Sequence, residues 1–249
     1  DQGYRVVVAS IESVFDEFSF GQYSVDALRC LTRRSMQKWK VKPTSLLLLG
    51  DSSFDPQNIL GLGAVDFVPT KIRGGVSTLE SSTDSWIVEG ADGFASMAVG
   101  RIPLRSLEDA LAAVHKIVRY EGQPTRTSPK LSLITTDEFP TTNSELTALT
   151  PASWTTESLI MLGSKVLPAD KAKVIQAFEG NMDIVNYFGH GSVEVWGSGD
   201  ILDSDSVNLP APTDLPPLVL SITCLSGFFH DIYSNSLAEA LVMRTDGGA

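Results

Sequence analysis

The run Asp183-Ile184-Val185-Asn186-Tyr187-Phe188-Gly189-His190-Gly191-Ser192 decides the reading of this chain. Six residues with the β-branched and aromatic content of a buried strand stop at a glycine. An imidazole follows between two glycines, where the backbone can turn at once. Leu218-Val219-Leu220-Ser221-Ile222-Thr223 is built the same way and stops at Cys224, before Leu225-Ser226-Gly227. Continuous apolar strands of this kind belong to parallel sheets covered on both faces. His190 and Cys224 would then leave consecutive strands at one carboxyl edge, where open α/β sheets hold their ligands.

Working outward, Tyr4–Ile11, Ser45–Leu49, Met97–Val99 and Leu131–Thr135 read as further strands, with Asp66–Val68 a shorter one. Val25–Lys40, Leu107–Tyr120, Ala169–Phe178 and Ser236–Arg244 carry apolar residues three and four apart and predict crossover helices. On the second of these the stripe is Leu107, Leu111, Val114, Ile117 and Val118, and Ser106 with Asp109 three residues on resembles a capping box. The alternation predicts an α/β fold with a mostly parallel sheet and helices on both faces. Asp51–Gly63, Gly74–Gly93, Pro140–Trp154 and Gly189–Pro217 read as long loops. Three of the four follow a strand directly, so they crowd the edge that His190 and Cys224 share. No repeat or linker divides the chain, and 1–249 reads as one domain.

Composition removes several function classes. With 249 residues, 43% of them hydrophobic, the chain can build a substantial core. Nineteen Lys and Arg against 30 Asp and Glu give a net charge of −11 with no basic run, which excludes nucleic acid as a partner. The longest apolar runs, Leu46–Leu49 and Leu218–Ile222, fall far short of the ~20 residues a membrane span needs, so no membrane insertion is expected. Two cysteines make neither a disulfide scaffold nor a zinc spacing. The chain opens on Asp1-Gln2-Gly3-Tyr4 and closes on Asp246-Gly247-Gly248-Ala249 like an ordinary connecting loop, which reads as a piece of a longer precursor.

A thiol and an imidazole at one sheet edge suit nucleophilic catalysis. The thiolate attacks, and the histidine takes its proton and later returns it to the leaving amine. The N–H groups of Gly191 and Cys224 are the candidate oxyanion donors, because a glycine-flanked turn can aim them without steric conflict. Cys30 lies within the helix Val25–Lys40 beside Leu28, Leu31 and Met36 and reads as a packing residue. His115 reads as a surface residue, and His230 in Phe228-Phe229-His230-Asp231 is a second imidazole that the chain would have to fold back.

Asn186-Tyr187-Phe188-Gly189-His190-Gly191-Ser192 with Trp196-Gly197, then Thr223-Cys224-Leu225-Ser226-Gly227-Phe228-Phe229 and Ser236-Leu237-Ala238-Glu239-Ala240-Leu241, resembles the gingipain family of caspase-like cysteine peptidases. The upstream blocks Leu46 to Asp51, Ser82-Thr83-Asp84, Ala98 to Pro103 and Tyr120-Glu121 agree in order, so the resemblance runs from about residue 44 to 244. It implies a caspase-like fold and hydrolysis of a peptide or protein substrate, with Cys224 as nucleophile and His190 as base and acid. The amides of Gly191 and Cys224 become the oxyanion hole.

An acid after an earlier strand should orient the histidine, and Leu133-Ile134-Thr135-Thr136-Asp137-Glu138 ends at that place, with Glu138 the first choice and Asp137 the second. Phe188, Ile222 and Trp196 take the substrate-pocket positions. Bulky Phe188 suits a small or apolar side chain better than the arginine or lysine that gingipains cleave after. Asp200, Asp203 and Asp205 are the alternatives for an acid that reads a basic side chain, or for oxygens around a structural calcium ion, which family members often bind. The chemistry itself requires no cofactor, and no metal ligand set is identified. The resemblance also implies strands beyond Ser236–Arg244, expected from the remaining part of the precursor, and a bacterial extracellular or cell-surface location. A sortase-like transpeptidase would use the same Cys and His, and a non-catalytic binding module would keep the fold without turnover.

Overall fold

A computed structural model describes residues 3–63, 65–74, 80–123, 127–162, 165–197, 199–205 and 216–244. Parts of the loops read at Gly74–Gly93 and Gly189–Pro217, and the closing Asp246–Ala249, lie outside them. The chain divides into two compact units, Asp1–Arg105 and Ser106–Ala249.

In the first unit, α1 (Ile11–Ser19) and α2 (Val25–Lys38) precede β1 (Ser45–Leu49). A short antiparallel pair, β2 (Ile72–Arg73) and β3 (Ser81–Ser82), follows, then a 3-10 turn at Asp84–Val88 and β4 (Ala98–Ile102). β1 and β4 pair in parallel, Ser45 opposite Ala98 through Leu49 opposite Ile102. Val14, Ala27, Leu28, Leu48, Val68, Trp86 and Ile87 form the core. Beneath the carboxyl ends of β1 and β4 the Arg101 guanidinium uses all its donors. Nε and Nη2 grip both oxygens of Asp84 at 2.7 and 2.8 Å, Nη1 reaches the carbonyls of Gly50 and Val68 at 2.7 Å each, and Nη2 also reaches Pro69 O at 3.3 Å.

Two expected strands are absent from this unit. Tyr4–Ser10 forms no regular element and has no partner strand among the described residues, and Tyr4, Val6, Val7 and Val8 are exposed. β-propensity measures fit to a pleated, half-buried surface, and none of the described residues offers one here. Ser10 instead accepts the Ser13 N–H at 3.2 Å and starts α1. Asp66–Val68 is held as a turn, the N–H groups of Phe67 and Val68 both donating to Asp51 O at 3.0 Å.

The second unit starts with α3 (Leu107–Glu121), β5 (Lys130–Thr136), α4 (Pro140–Leu149), β6 (Thr155–Met161) and α5 (Pro168–Gln176). β7 (Ile184–Phe188), the short hairpin β8 (Val195–Trp196) and β9 (Leu202–Asp203), β10 (Leu218–Ile222) and α6 (Leu237–Met243) complete it. Its sheet is parallel with the order β10-β7-β5-β6. Register sets Ile134 opposite Tyr187, and Tyr187 opposite Ser221, so these share one face with Val185 and Val219. Val174, Ala177 and Phe178 from α5 and the turn after it, with Leu237 and Leu241 from α6, bury that face together with Trp196. Each large apolar side chain so buried contributes roughly 1.5–3 kcal/mol. The other face carries Leu133, Thr135, Asn186, Phe188, Leu220 and Ile222, and α4 covers it over β5 and β6.

The segment read as a loop at Pro140–Trp154 is therefore mostly α4. Proline at its first position is favourable there. Its packing residue is polar: the buried Asn143 donates to Leu133 O and Thr135 Oγ1 at 3.3 Å each, and Ser158 of β6 donates to its Oδ1. On α3 the helix is as expected, but its stripe points outward, with Leu107, Leu111, Val114, Ile117 and Val118 all exposed. Ala113 and Lys116 face inward instead. Lys116 Nζ donates to the carbonyls of Leu241, Val242 and Arg244 at 3.3, 2.5 and 3.4 Å and so closes the carboxyl end of α6. Burial, with Arg244 nearby, pulls its pKa down to about 8.

Candidate active site

β7 and β10 end together. Ile222 stands opposite Phe188, and Gly189 N–H donates to Ile222 O at 3.4 Å. His190 and Cys224 each lie two residues further on, both exposed. The turn after the cysteine is tight, because Leu225 adopts φ +59°, a left-handed conformation uncommon for a bulky residue. A sharp break of this kind at the end of a strand leaves the preceding Cys224 side chain clear of the sheet.

His190 is fixed through its carbonyl. Tyr187 OH and Gly197 N–H donate to it at 2.6 and 2.7 Å. The Tyr187 ring is stacked on Trp196 at 4.5 Å and 9°. Trp196 Nε1 donates to Ser221 Oγ at 2.8 Å, and Ser221 shares a 3.0 Å hydrogen bond with Ser226. Ser226 O accepts Ala238 N–H at 2.9 Å, while Leu237 N–H donates to Val193 O at 2.8 Å. The loops that carry the imidazole and the thiol are thus tied to each other and to α6. Trp196 has 0% exposure on the face opposite Phe188 and Ile222. It buttresses the histidine loop and does not line a substrate pocket, which corrects the expectation drawn from its position.

Gly191 faces Trp196 across the β8 hairpin as an isolated antiparallel bridge. The flanking bonds are Gly197 N–H to His190 O and Ser192 N–H to Val195 O. Gly191 is then the non-hydrogen-bonded member, and its own N–H points away from the hairpin. A side chain is excluded there, since a Cβ on Gly191 would stand 2.5 Å from Thr223 Oγ1 in the strand leading to Cys224.

The turn after β5 carries the two carboxylates expected at this edge, Asp137 and Glu138. Thr135 pairs with Phe188, and Phe139 brings its ring to 5.1 Å from Phe188, edge-on, and 5.4 Å from the His190 ring. Glu138 is exposed beside it, and its charge adds to burial in pushing the Tyr187 phenol above its usual range. Asp137 continues the sheet, its N–H donating to Met161 O at 2.8 Å. Among the described residues no hydrogen bond joins His190 to Cys224 or Glu138. The ends of β5, β7 and β10 bring the three to one edge of the sheet.

Other sequence expectations separate here. His230 has 0% exposure, packed against Phe228 at 3.9 Å and Phe229 at 5.7 Å, so it is not at the open edge. Cys30 is exposed rather than packed. Asp203 is committed locally, accepting Asp205 N–H at 3.1 Å and pairing with Lys171 at 3.9 Å. Asp200 and Asp205 point to solvent. Among the described residues no three His, Cys, Asp or Glu side chains gather as a metal site. Asp200, Asp203 and Asp205 do not converge on one point where a calcium ion could sit. Tyr187, Ser221 and Phe139 were not singled out from the sequence. Alternation along β7 and β10 could have placed the first two under the histidine loop, but nothing local marks Phe139.

A family model for peptidase family C25 matches residues 1–249. The chain belongs to this family. Gingipain R2 and gingipain R1 of Porphyromonas gingivalis are each 25% identical to it over 202 residues, 76% of this chain. That stretch is 26% of gingipain R2 and 20% of gingipain R1, so the chain spans about a quarter or less of these relatives. The crystal structure of the Arg-specific cysteine proteinase gingipain R matches with TM-score 0.66 and 18% identity, over 90% of this chain and 51% of that one. The complex of the pro- and mature domains of Porphyromonas gingivalis RgpB matches with TM-score 0.68 and 18% identity, over 94% of this chain and 54% of that one. The family's caspase-like α/β fold is therefore the fold of this C25 chain.

Proposed function

We propose that this chain carries the catalytic centre of a cysteine endopeptidase. The observation that carries the reading is the parallel register, which delivers Cys224 and His190 from adjacent strands at the same distance past Ile222 and Phe188. His190 removes the Cys224 Sγ proton, and the thiolate adds to the carbonyl carbon of the scissile peptide bond. The oxygen gains the negative charge and accepts hydrogen bonds from the Gly191 and Cys224 N–H groups. The His190 imidazolium gives its proton to the departing nitrogen as the C–N bond breaks, leaving a thioester on Cys224. Water, deprotonated by His190, attacks the thioester, the C–S bond breaks, the acid product leaves, and the imidazolium returns its proton to Cys224 Sγ. Glu138 holds the imidazole and steadies its protonated form.

Substrates on this reading are peptides or proteins. Family membership supports an extracellular or cell-surface setting, and no helix of the described residues is long and apolar enough to cross a membrane. The test is cleavage of a peptide library by wild type and by Cys224→Ala. Cleavage confined to wild type supports the assignment, and equal cleavage by both refutes it.

The choice of carboxylate has its own test. Glu138→Gln should lower kcat/KM roughly 10- to 100-fold, less than the ~10²–10⁴ that a general acid–base group supplies, and Asp137→Asn should change it little. A larger loss in Asp137→Asn, measured on the same peptide, would move the role by one residue.

A further inference from the structure

We infer that Phe139 is a positioning residue for the proposed catalytic pair, its ring bearing on the His190 imidazole and holding it turned for proton exchange with Cys224. This rests on the peptidase reading above and adds to it a residue from the turn after β5. The His190 backbone is fixed, because Tyr187 OH and Gly197 N–H donate to its carbonyl at 2.6 and 2.7 Å. Those two bonds do not restrain the ring. The side chain is exposed, and above a fixed backbone it still turns about two torsions. Phe139 limits that motion, with the two ring centroids 5.4 Å apart and the planes tilted by 57°. Tilted aromatic pairs attract over about 4.5–7 Å, and the attraction depends on how the rings are turned.

A ring can aim its neighbour only if it is itself held. Phe139 N–H donates to Thr136 O at 2.9 Å, which closes the turn at the end of β5. Pro140 follows as the first residue of α4, and its ring narrows the backbone range of the residue before it. The Phe139 side chain is half-buried and stands edge-on to Phe188 at 5.1 Å and 77°. Phe188 is the last residue of the strand that carries His190, and it lies opposite Thr135 of β5 in the parallel register. The imidazole is thus aimed by groups of β5 and β7, and β10 brings the thiol to it. A pair of this kind favours one orientation over others roughly 2- to 10-fold. Leucine at 139 would fill much of the volume but has no ring quadrupole to orient an imidazole, whereas tyrosine keeps one.

The experiment uses Cys30→Ser protein and follows alkylation of Cys224 by iodoacetamide, which carries no side chain for a substrate pocket to read. Rates are compared by mass for the parent, His190→Ala, Phe139→Ala, Phe139→Leu and Phe139→Tyr. The parent should react faster than His190→Ala. Phe139→Ala and Phe139→Leu should lose roughly 2- to 10-fold of that excess, and Phe139→Tyr should keep it. Proton–carbon correlation spectra of the three histidines supply a second readout. The His190 ring signal, assigned by its loss in His190→Ala, should move in Phe139→Ala and Phe139→Leu while those of His115 and His230 stay. Circular dichroism checks that each variant is folded, and Phe139→Leu carries the test if Phe139→Ala does not fold. An unchanged excess in Phe139→Leu, or movement of all three histidine signals together, overturns the inference and leaves the peptidase intact. A parent no faster than His190→Ala overturns the peptidase reading and the positioning role with it.

Discussion

Cys224→Ala and His190→Ala, each introduced alone, should lower kcat/KM for the best peptide by at least ~10³-fold, and the double variant should lose little more. Non-additivity is expected because the two groups act in one proton transfer, and residues that act as a unit fail together. Folding should be little affected, since both side chains are exposed at a sheet edge and His190 gives up only its ring contact with Phe139. The histidine loop is held by Tyr187 OH and Gly197 N–H through the His190 carbonyl, which alanine retains. Far-UV circular dichroism and thermal melting of the variants check this, and initial rates on the same peptide check the loss. Near-normal activity in His190→Ala would overturn the assignment. Thiol alkylation must be compared in a Cys30→Ser background, because Cys30 is exposed and would contribute its own signal. In that background Cys224 should alkylate faster than an ordinary thiol, and His190→Ala should remove the excess.

Arg101→Met should destabilise the first unit by about 3–5 kcal/mol, the cost of leaving one partner of a buried ion pair behind. The guanidinium is 4% exposed, and Asp84, which also accepts from Thr70 Oγ1 at 2.8 Å, is 14% exposed. Removing Arg101 strands this carboxylate and three carbonyls, those of Gly50, Val68 and Pro69, which converge on one point where β1 and β4 end. Arg101→Lys should recover little, because an ammonium has three donors and no planar fork. Urea unfolding followed by amide exchange in β1 and β4 measures the loss. A change below about 1 kcal/mol would show that the bonds are replaced by water at no net cost.

What was legible in the sequence follows from how each element packs. β7 and β10 are covered by side chains of their own type, so a continuous apolar run announces them, and the glycines mark where they stop. α4 and β6 were missed for the opposite reason. Their contact passes through Asn143 and Ser158, and a polar residue that bonds the sheet looks like a loop residue in one dimension. α3 shows that period predicts a helix more securely than it predicts which way the stripe faces, since Leu107 and Leu111 lie in water while Lys116 is buried. Trp196 was placed at the substrate by position along the chain, whereas its stacking on Tyr187 puts it beneath the histidine. The Cys and His pair was legible because strand ends in a parallel sheet all face one edge. Phe139 was not, because its partners are 49 and 51 residues away, the separations 188 − 139 and 190 − 139.

The strand order also sets a timetable. β5, β6 and β7 are made first and can pair with one another, whereas β10, which delivers the thiol, comes later in the chain and, among the described strands, pairs with β7 alone. Parallel pairing must close a long loop before it is rewarded, so this docking is a late event in folding. The end of the Cys224 strand therefore takes its place after the end of the His190 strand. A partly folded chain holds the imidazole in place while its thiol is still elsewhere, and the two meet only when β10 has docked on β7.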